Sequence, residues 1–234
     1  MTVASARNLI LTGGIQHDFA AAAIALARCL EPAGVTSTIS EDFDGYWQRI
    51  AAGEFELVTI YALRWRMTQR AKYAPHRARW AYELPDLGRN ALVTHVQRGG
   101  GLLGLHTAAL CFDTWDAWPQ LLGAGWQWDA SHHPDVGPMQ VESTAATHPI
   151  TMGIKPFATV DETYHQLDVR TAAPALLSSM NQPLLWAHEF GAGRVVYDAL
   201  GHDAAAVTQQ EHARVLRRCA AWLLRQPDQL VGAL

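Results

Sequence analysis

Cysteine is scarce in this chain: three residues among 234, Cys29, Cys111 and Cys219, are widely spaced and form no CxxC pair. Such an odd, scattered set excludes a disulfide framework and a zinc knuckle, and it fits a reducing cytoplasm. Long apolar runs are missing too. No stretch of about 18 apolar residues is present, so no membrane span is expected. The start carries Arg7 but no uninterrupted apolar stretch behind it, and it does not read as an export signal. Charge is sparse. With 18 Lys and Arg against 22 Asp and Glu, the formal net charge of −4 lacks the basic footprint of a nucleic-acid binder. Repeats, linkers and low-complexity tracts are lacking as well, so residues 1–234 read as one domain.

What is present is a globular composition, 49% hydrophobic and 17% charged, which supports a sizeable core. Asn8 to Thr12 (NLILT) is a short apolar run that stops at Gly13-Gly14, and the Ala-rich Phe19 to Leu30 has strong helix propensity. Val35 to Ser40 (VTSTIS) and Glu56 to Tyr61 (ELVTIY) read as strands around a short helix at Tyr46 to Ala52. Asp86 is placed to cap a helix running to Gln97, and Leu102 to Leu105 (LLGL) reads as a central strand. Strand and helix alternate, which implies a parallel sheet. From Met139 the strands shorten: Met139 to Glu142, Asp161 to Val169, Ala175 to Met180, Leu184 to Glu189 and Arg194 to Ala199. Turn signals at Asn181-Gln182-Pro183 and Gly191-Ala192-Gly193 imply antiparallel hairpins, and Gln209 to Arg225 reads as an amphipathic helix. The expected architecture is α/β, a mostly parallel sheet flanked by helices with antiparallel additions in the C-terminal half.

In such a sheet ligands bind beyond the carboxyl ends of the strands, and those positions are unusually polar here. His17-Asp18 follows the first strand, His106-Thr107 the central one, and Gly201-His202-Asp203 the last parallel one. Each histidine taken alone reads as a hydrogen-bonded loop residue; together they point to one crevice. The run from Gly100 to Ala109 sets His106 on a strand-to-helix turn of small residues, the geometry of a nucleophile elbow. Imidazole is a poor acyl nucleophile but a good base, donor or metal ligand. Glu162 adds a carboxylate that reads equally as an exposed strand-end residue. Imidazole with carboxylate suits zinc or another divalent ion, with His106, Glu162 and His202 as candidate ligands. No HxH or HExxH spacing occurs, so these ligands have to converge from distant loops. Cys111 reads as a small buried hydrophobe. Trp65, Trp115, Trp118, Trp126, Trp128 and Trp186 lie in or near loops and serve either as core or as platforms for sugar faces. Arg64, Arg66, Arg70, Lys72, Arg77 and Arg79 form the densest basic stretch, open to reading as a solvated face, an oligomer contact or a lid over a polar ligand.

The ordered set Thr12-Gly13-Gly14 to Phe19, Gly104-Leu105-His106, Ser131-His132-His133-Pro134, His148-Pro149-Ile150-Thr151, Asp161-Glu162-Thr163-Tyr164 and Gly191 to Asp203 resembles the blocks of the ThuA-like (trehalose utilisation) family. The resemblance implies a flavodoxin-like, class I glutamine amidotransferase-like fold with His106 in the place of the amidotransferase cysteine and His202-Asp203 in that of its histidine–glutamate pair. An imidazole forms no thioester, so glutaminase activity is not expected. The resemblance also implies a small carbohydrate partner, trehalose or a related disaccharide or keto-sugar. The implied catalytic residues are His106, His202, Glu162 and Asp203, and the implied substrate contacts are His17, His133, Tyr164 and Trp65. Hydrolysis and isomerisation by acid–base chemistry, with or without a metal, remain open, as does a non-catalytic sugar-binding or assembly module and a homo-oligomer. Ordinary glycoside hydrolysis needs two facing carboxylates, and Glu162 with Asp203 or Asp18 is the pairing available for it.

Overall fold

The structure, a computed structural model, describes residues 5–144 and 146–234. Leu9, Ile10 and Leu11 are fully buried in β1 (Ala6–Gly13), and α1 (Phe19–Leu30) follows, its first turn capped by the Asp18 carboxylate on the Ala21 amide. Next come β2 (Val35–Ser40), α2 (Trp47–Ala52), β3 (Leu57–Ala62), a 3-10 turn at Ala71–His76, α3 (Arg77–Trp80), α4 (Asp86–Gln97) and β4 (Gly101–Leu105). A 3-10 turn at His106–Leu110 leads to α5 (Trp118–Leu122) and β5 (Ala124–Gly125). β6 (Gly137–Ser143), β7 (Phe157–Asp161), β8 (Asp168–Val169), β9 (Leu177–Ser179), β10 (Gln182–Phe190) and β11 (Gly193–Asp198) precede α6 (Ala204–Thr208), α7 (Gln210–Leu223) and α8 (Asp228–Ala233).

Nine strands form one sheet in the order β2-β1-β3-β4-β11-β10-β9-β6-β7. The first five are mutually parallel, a 2-1-3-4-5 flavodoxin-like arrangement, and the remaining four add antiparallel strands beyond β11. The pairing follows from burial. Every residue of β3 and β4 is buried, as expected for strands covered by helices on both faces, whereas β7 alternates buried and exposed with one face in solvent. The short β5 and β8 pair separately.

Two expectations change. Of the segment Asp161 to Val169 anticipated as a strand only the ends are strand, Asp161 closing β7 and Asp168–Val169 forming β8, so Glu162 and Tyr164 leave the sheet instead of lying in it. Asp86 is not the cap of α4: Pro85 holds that position, and Asp86 sits in the first turn, where its charge faces the positive end of the helix.

Beneath the last parallel strand lies a buried ion pair. Asp198, the final residue of β11, receives the His212 Nε2–H of α7 at 3.0 Å, and His212 Nδ1 donates to the Ala206 carbonyl at 2.7 Å; neither side chain has solvent exposure. Burial works against a charged imidazole, but the Asp198 carboxylate and the hydrogen bonds outweigh it and raise the His212 pKa above its ordinary 6.5. The pair ties α6 and α7 to the strand that carries the 200–203 loop. A raised folded-state pKa stabilises fully below the unfolded value and loses that contribution as pH rises through the folded value. Thermal unfolding is therefore expected to show a midpoint that falls as pH climbs above 6.5, with Asp198→Asn removing that part of the slope. Because one buried charged partner is left alone, Asp198→Asn is expected to cost about 3–5 kcal/mol in urea unfolding.

Candidate functional site

Three parallel strand ends deliver three imidazoles to one place. His17 follows β1, and its Nδ1 lies 3.1 Å from the Ile15 carbonyl. His106 is the first residue past β4, fully buried, with φ at 47°. That left-handed backbone is uncommon for a residue with a Cβ and turns the imidazole inward from the strand end. Gly104, two residues before it, packs so closely on α5 that a methyl there would collide with Leu122. His106 Nδ1 lies 2.9 Å from the Ala199 carbonyl, and the Tyr197 hydroxyl donates to the His106 carbonyl at 2.9 Å. His202 follows β11 after Gly201, whose φ of 108° requires glycine. The Asp161 carboxylate clamps this loop by accepting the Gly201 amide at 2.7 Å and the His202 amide at 3.2 Å. Immediately beyond Asp161, Glu162 and Tyr164 turn into the site.

His17 Nε2 and His106 Nε2 are 3.2 Å apart, Glu162 Oε2 is 3.4 Å from His106 Nε2, and Glu162 Oε1 is 3.4 Å from His202 Nδ1. One donor atom from each of His17, His106, Glu162 and His202 lies within 4.8 Å of the others. His133 Nδ1 approaches Glu162 Oε1 at 3.5 Å from the solvent side, and the Tyr164 hydroxyl is 3.1 Å from His106 Nε2. Burial, reinforced by His106, lowers the His17 pKa to about 4. Burial alone would raise the Glu162 pKa, but the neighbouring His106 and His202 imidazoles outweigh it and hold the carboxyl well below its usual range. Glu162 in turn raises His202, and burial with the Glu162 charge keeps the Tyr164 phenol protonated far above its ordinary value of 10.

The proton positions follow from these contacts. Carbonyls only accept, so His17 and His106 each carry a proton on Nδ1 and aim Nε2 at each other, with the Tyr164 hydroxyl also 3.1 Å from His106 Nε2. The buried His202 Nδ1 has no hydrogen-bond partner among the described residues. Three imidazole nitrogens and a carboxylate oriented in this way fit a small cation, with the backbone carbonyls fixing the tautomers from behind.

Above this floor opens a cleft of about 580 Å³. Trp126, Trp128 and Tyr73 line its wall together with Trp65, which is buried, donates Nε1–H to Gln69 at 2.8 Å and stacks on Trp128 at 5.6 Å. Of the other tryptophans singled out, Trp118 and Trp186 are core and Trp115 stacks on Trp118. Asp203 is brought next to His202 by the chain, yet its carboxylate caps α6 by accepting the Ala206 amide at 2.8 Å. Asp18 caps α1 in the same way. Neither belongs to the donor cluster, so the two-carboxylate pairing with Glu162 does not form there. His148 Nδ1 accepts the Ile150 amide at 3.2 Å and holds a turn. Cys111 is buried, with its thiol pushed up to about 12 by burial. The sequence assigns no role to Asp161 or to the His212–Asp198 pair; only folding brings Asp161 to amides 40 and 41 residues away.

A solved ThuA-like protein from Parabacteroides merdae superposes with a TM-score of 0.74 at 17% identity, over 94% of this chain and 90% of that one. A cytoplasmic protein from Salmonella typhimurium LT2 gives 0.64 at 13% identity, over 92% and 99%. A β-galactosidase from Rahnella gives 0.60 at 15% identity, over 95% of this chain but 32% of that one. These likenesses establish the fold. No curated protein matches the sequence closely enough to count as a relative. The model of the ThuA family, described as trehalose utilisation, matches residues 7–223, and the chain therefore belongs to that family.

Proposed function

We propose that this protein acts on a carbohydrate in the strand-end cleft with the help of a divalent ion, zinc or a similar first-row metal, held by His17, His106, Glu162 and His202. One observation carries the reading: the Nε2 atoms of His17 and His106, whose Nδ1 atoms are held by backbone carbonyls, face each other 3.2 Å apart, so that one cation can be shared by both. Two of the separations, 3.2 Å between His17 Nε2 and His106 Nε2 and 3.4 Å from His106 Nε2 to Glu162 Oε2, lie close to the edge of about 3.3 Å expected for a tetrahedron with metal–ligand bonds of about 2.0 Å, and all four donors lie within 4.8 Å of one another. Three imidazoles and a carboxylate form a borderline donor set that favours zinc, cobalt or nickel over calcium or magnesium.

When bound, such an ion supplies polarisation of a sugar hydroxyl or carbonyl oxygen. The chain's own residues do the rest. The protonated Tyr164 phenol is a hydrogen-bond donor at the floor, and His133, 40% exposed beside Glu162, is placed to meet a sugar hydroxyl. Trp126, Trp128 and Tyr73 offer apolar ring faces and edges to the C–H faces of a sugar. Because Asp18 and Asp203 are committed to helix caps, rearrangement or cleavage of an oxidised sugar suits the site better than two-carboxylate glycoside hydrolysis. Thiol-based glutaminase chemistry lacks a nucleophile, since the elbow holds His106 and the Cys111 thiol is buried. The family's link to sugar utilisation supports the substrate class. A reducing cytoplasm is supported by three free, buried cysteines, and no helix among the described residues is long and apolar enough to cross a membrane.

Calorimetric titration of chelator-stripped protein with zinc is expected to give one ion per chain, with affinity falling at least about a hundredfold in His106→Ala and in Glu162→Gln. A stripped protein that takes up no zinc, cobalt or nickel would refute the metal. Tryptophan fluorescence of the metal-loaded protein is expected to change on adding trehalose or a keto-disaccharide, with affinity weakened about tenfold in Trp128→Ala. Indifference to every mono- and disaccharide would refute the sugar.

A further inference from the structure

We infer that the substrate is an anionic sugar, one that bears a carboxylate or a phosphate, and that Arg70 and Lys72 read its charge at the rim of the cleft. The inference rests on the carbohydrate reading of the same site. Its starting point is the basic segment from Arg64 to Arg79, most of which is already committed. Arg64 donates to the Glu41 carbonyl at 2.9 Å and Arg77 to the Met67 carbonyl at 2.8 Å, while Arg66 pairs with Asp113 at 3.3 Å and Arg79 with Glu41 at 3.9 Å. Arg70 and Lys72 differ. Both line the cleft, both are exposed, and neither has an acidic partner among the described residues.

Their position is fixed by the residue that follows them. Tyr73 is buried with its ring 5.0 Å from Trp65 and 6.2 Å from Trp128, which anchors the turn, and Lys72 Nζ lies over that ring at 5.2 Å. From there the wall runs in contact to the floor: Trp128 meets Trp126 at 6.5 Å, Trp126 meets Tyr164 at 5.3 Å, and Tyr164 stacks on His106 at 4.8 Å. A sugar ring lying along this wall places one end on the imidazoles and the other toward the two cations.

The charge balance of the cleft points the same way. Among the described residues that line it, Glu162 is the one carboxylate, and both of its oxygens already face imidazoles. The nearby acids Asp18, Asp161 and Asp203 are satisfied by backbone amides. In a chain of net charge −4, this is a locally positive cleft, and it attracts an anion while presenting no free carboxylate to repel it. The Arg70 guanidinium matches a carboxylate or phosphate with two parallel N–H donors.

Calorimetry on the metal-loaded protein with glucose, glucuronate and glucose 6-phosphate, and with trehalose and trehalose 6-phosphate, tests this directly. At least one charged sugar is expected to bind about tenfold or more tighter than its neutral counterpart, and whether the uronate or the phosphates gain identifies the anion. The preference is expected to disappear in the Arg70→Gln, Lys72→Gln double variant and to shrink as sodium chloride rises. Neutral sugars binding as tightly as charged ones would overturn the inference while leaving the carbohydrate reading intact. A preference that survives the double variant, or inorganic phosphate binding as tightly as the sugar phosphates, would assign the anion to the metal and overturn the role of the rim. If no sugar of either kind binds, the carbohydrate reading falls and the inference with it.

Discussion

The site depends on two imidazole nitrogens, His17 Nε2 and His106 Nε2, held 3.2 Å apart with their protons committed on the far side of each ring. Two ring nitrogens this close, each with its far side fixed by a carbonyl, are brought together by the scaffold. Here the scaffold is a parallel sheet whose strand ends all open toward one edge. β1 and β4 are separated by β3, so the loops must converge across a strand, and they do so through the left-handed backbone at His106 and the glycine pair after β1. The strain at His106 is balanced by packing and by the hydrogen bonds to Ala199 and Tyr197.

A second layer of buried polar contacts holds the third imidazole in place. The 200–203 loop is bound on one side by the Asp161 carboxylate, on another by the Tyr61 hydroxyl donating to the Gly201 carbonyl, and behind by the Asp198–His212 pair. Glu162 reaches the cluster because the chain leaves β7 directly after that same clamp. Asp161 thus positions both a carboxylate on its own strand end and an imidazole from another loop, without joining the cluster itself.

The parallel half of the fold was legible because its inner strands β1, β3 and β4 are short, largely buried apolar runs, while the more exposed edge strand β2 reads by its β-branched residues. α1 and β2 have the limits that their residues suggest. The strand-end histidines were legible for the same reason, since a polar residue directly after such a run has one place to go. Asp203 stands beside His202 in sequence, but adjacency says nothing of side-chain direction; Asp before three alanines is also a helix-cap signal, and its carboxylate caps α6. The Asp161 clamp and the Asp198–His212 pair were hidden because their partners are distant in the chain and their residue types alone suggest surface positions. The cleft charge was partly visible in the basic segment, but which two cations stay unpaired depends on where Asp113 and Glu41 fall.

The same architecture recurs as part of a much longer β-galactosidase and as free-standing ThuA-like proteins, so the fold by itself assigns no reaction. The functional reading rests instead on the donor set of His17, His106, Glu162 and His202. Zinc K-edge X-ray absorption of the zinc-loaded protein tests that set most directly. The account predicts a first shell of three imidazole nitrogens and a carboxylate oxygen at about 2.0–2.2 Å. A shell of oxygen alone, with no imidazole scattering, would contradict it.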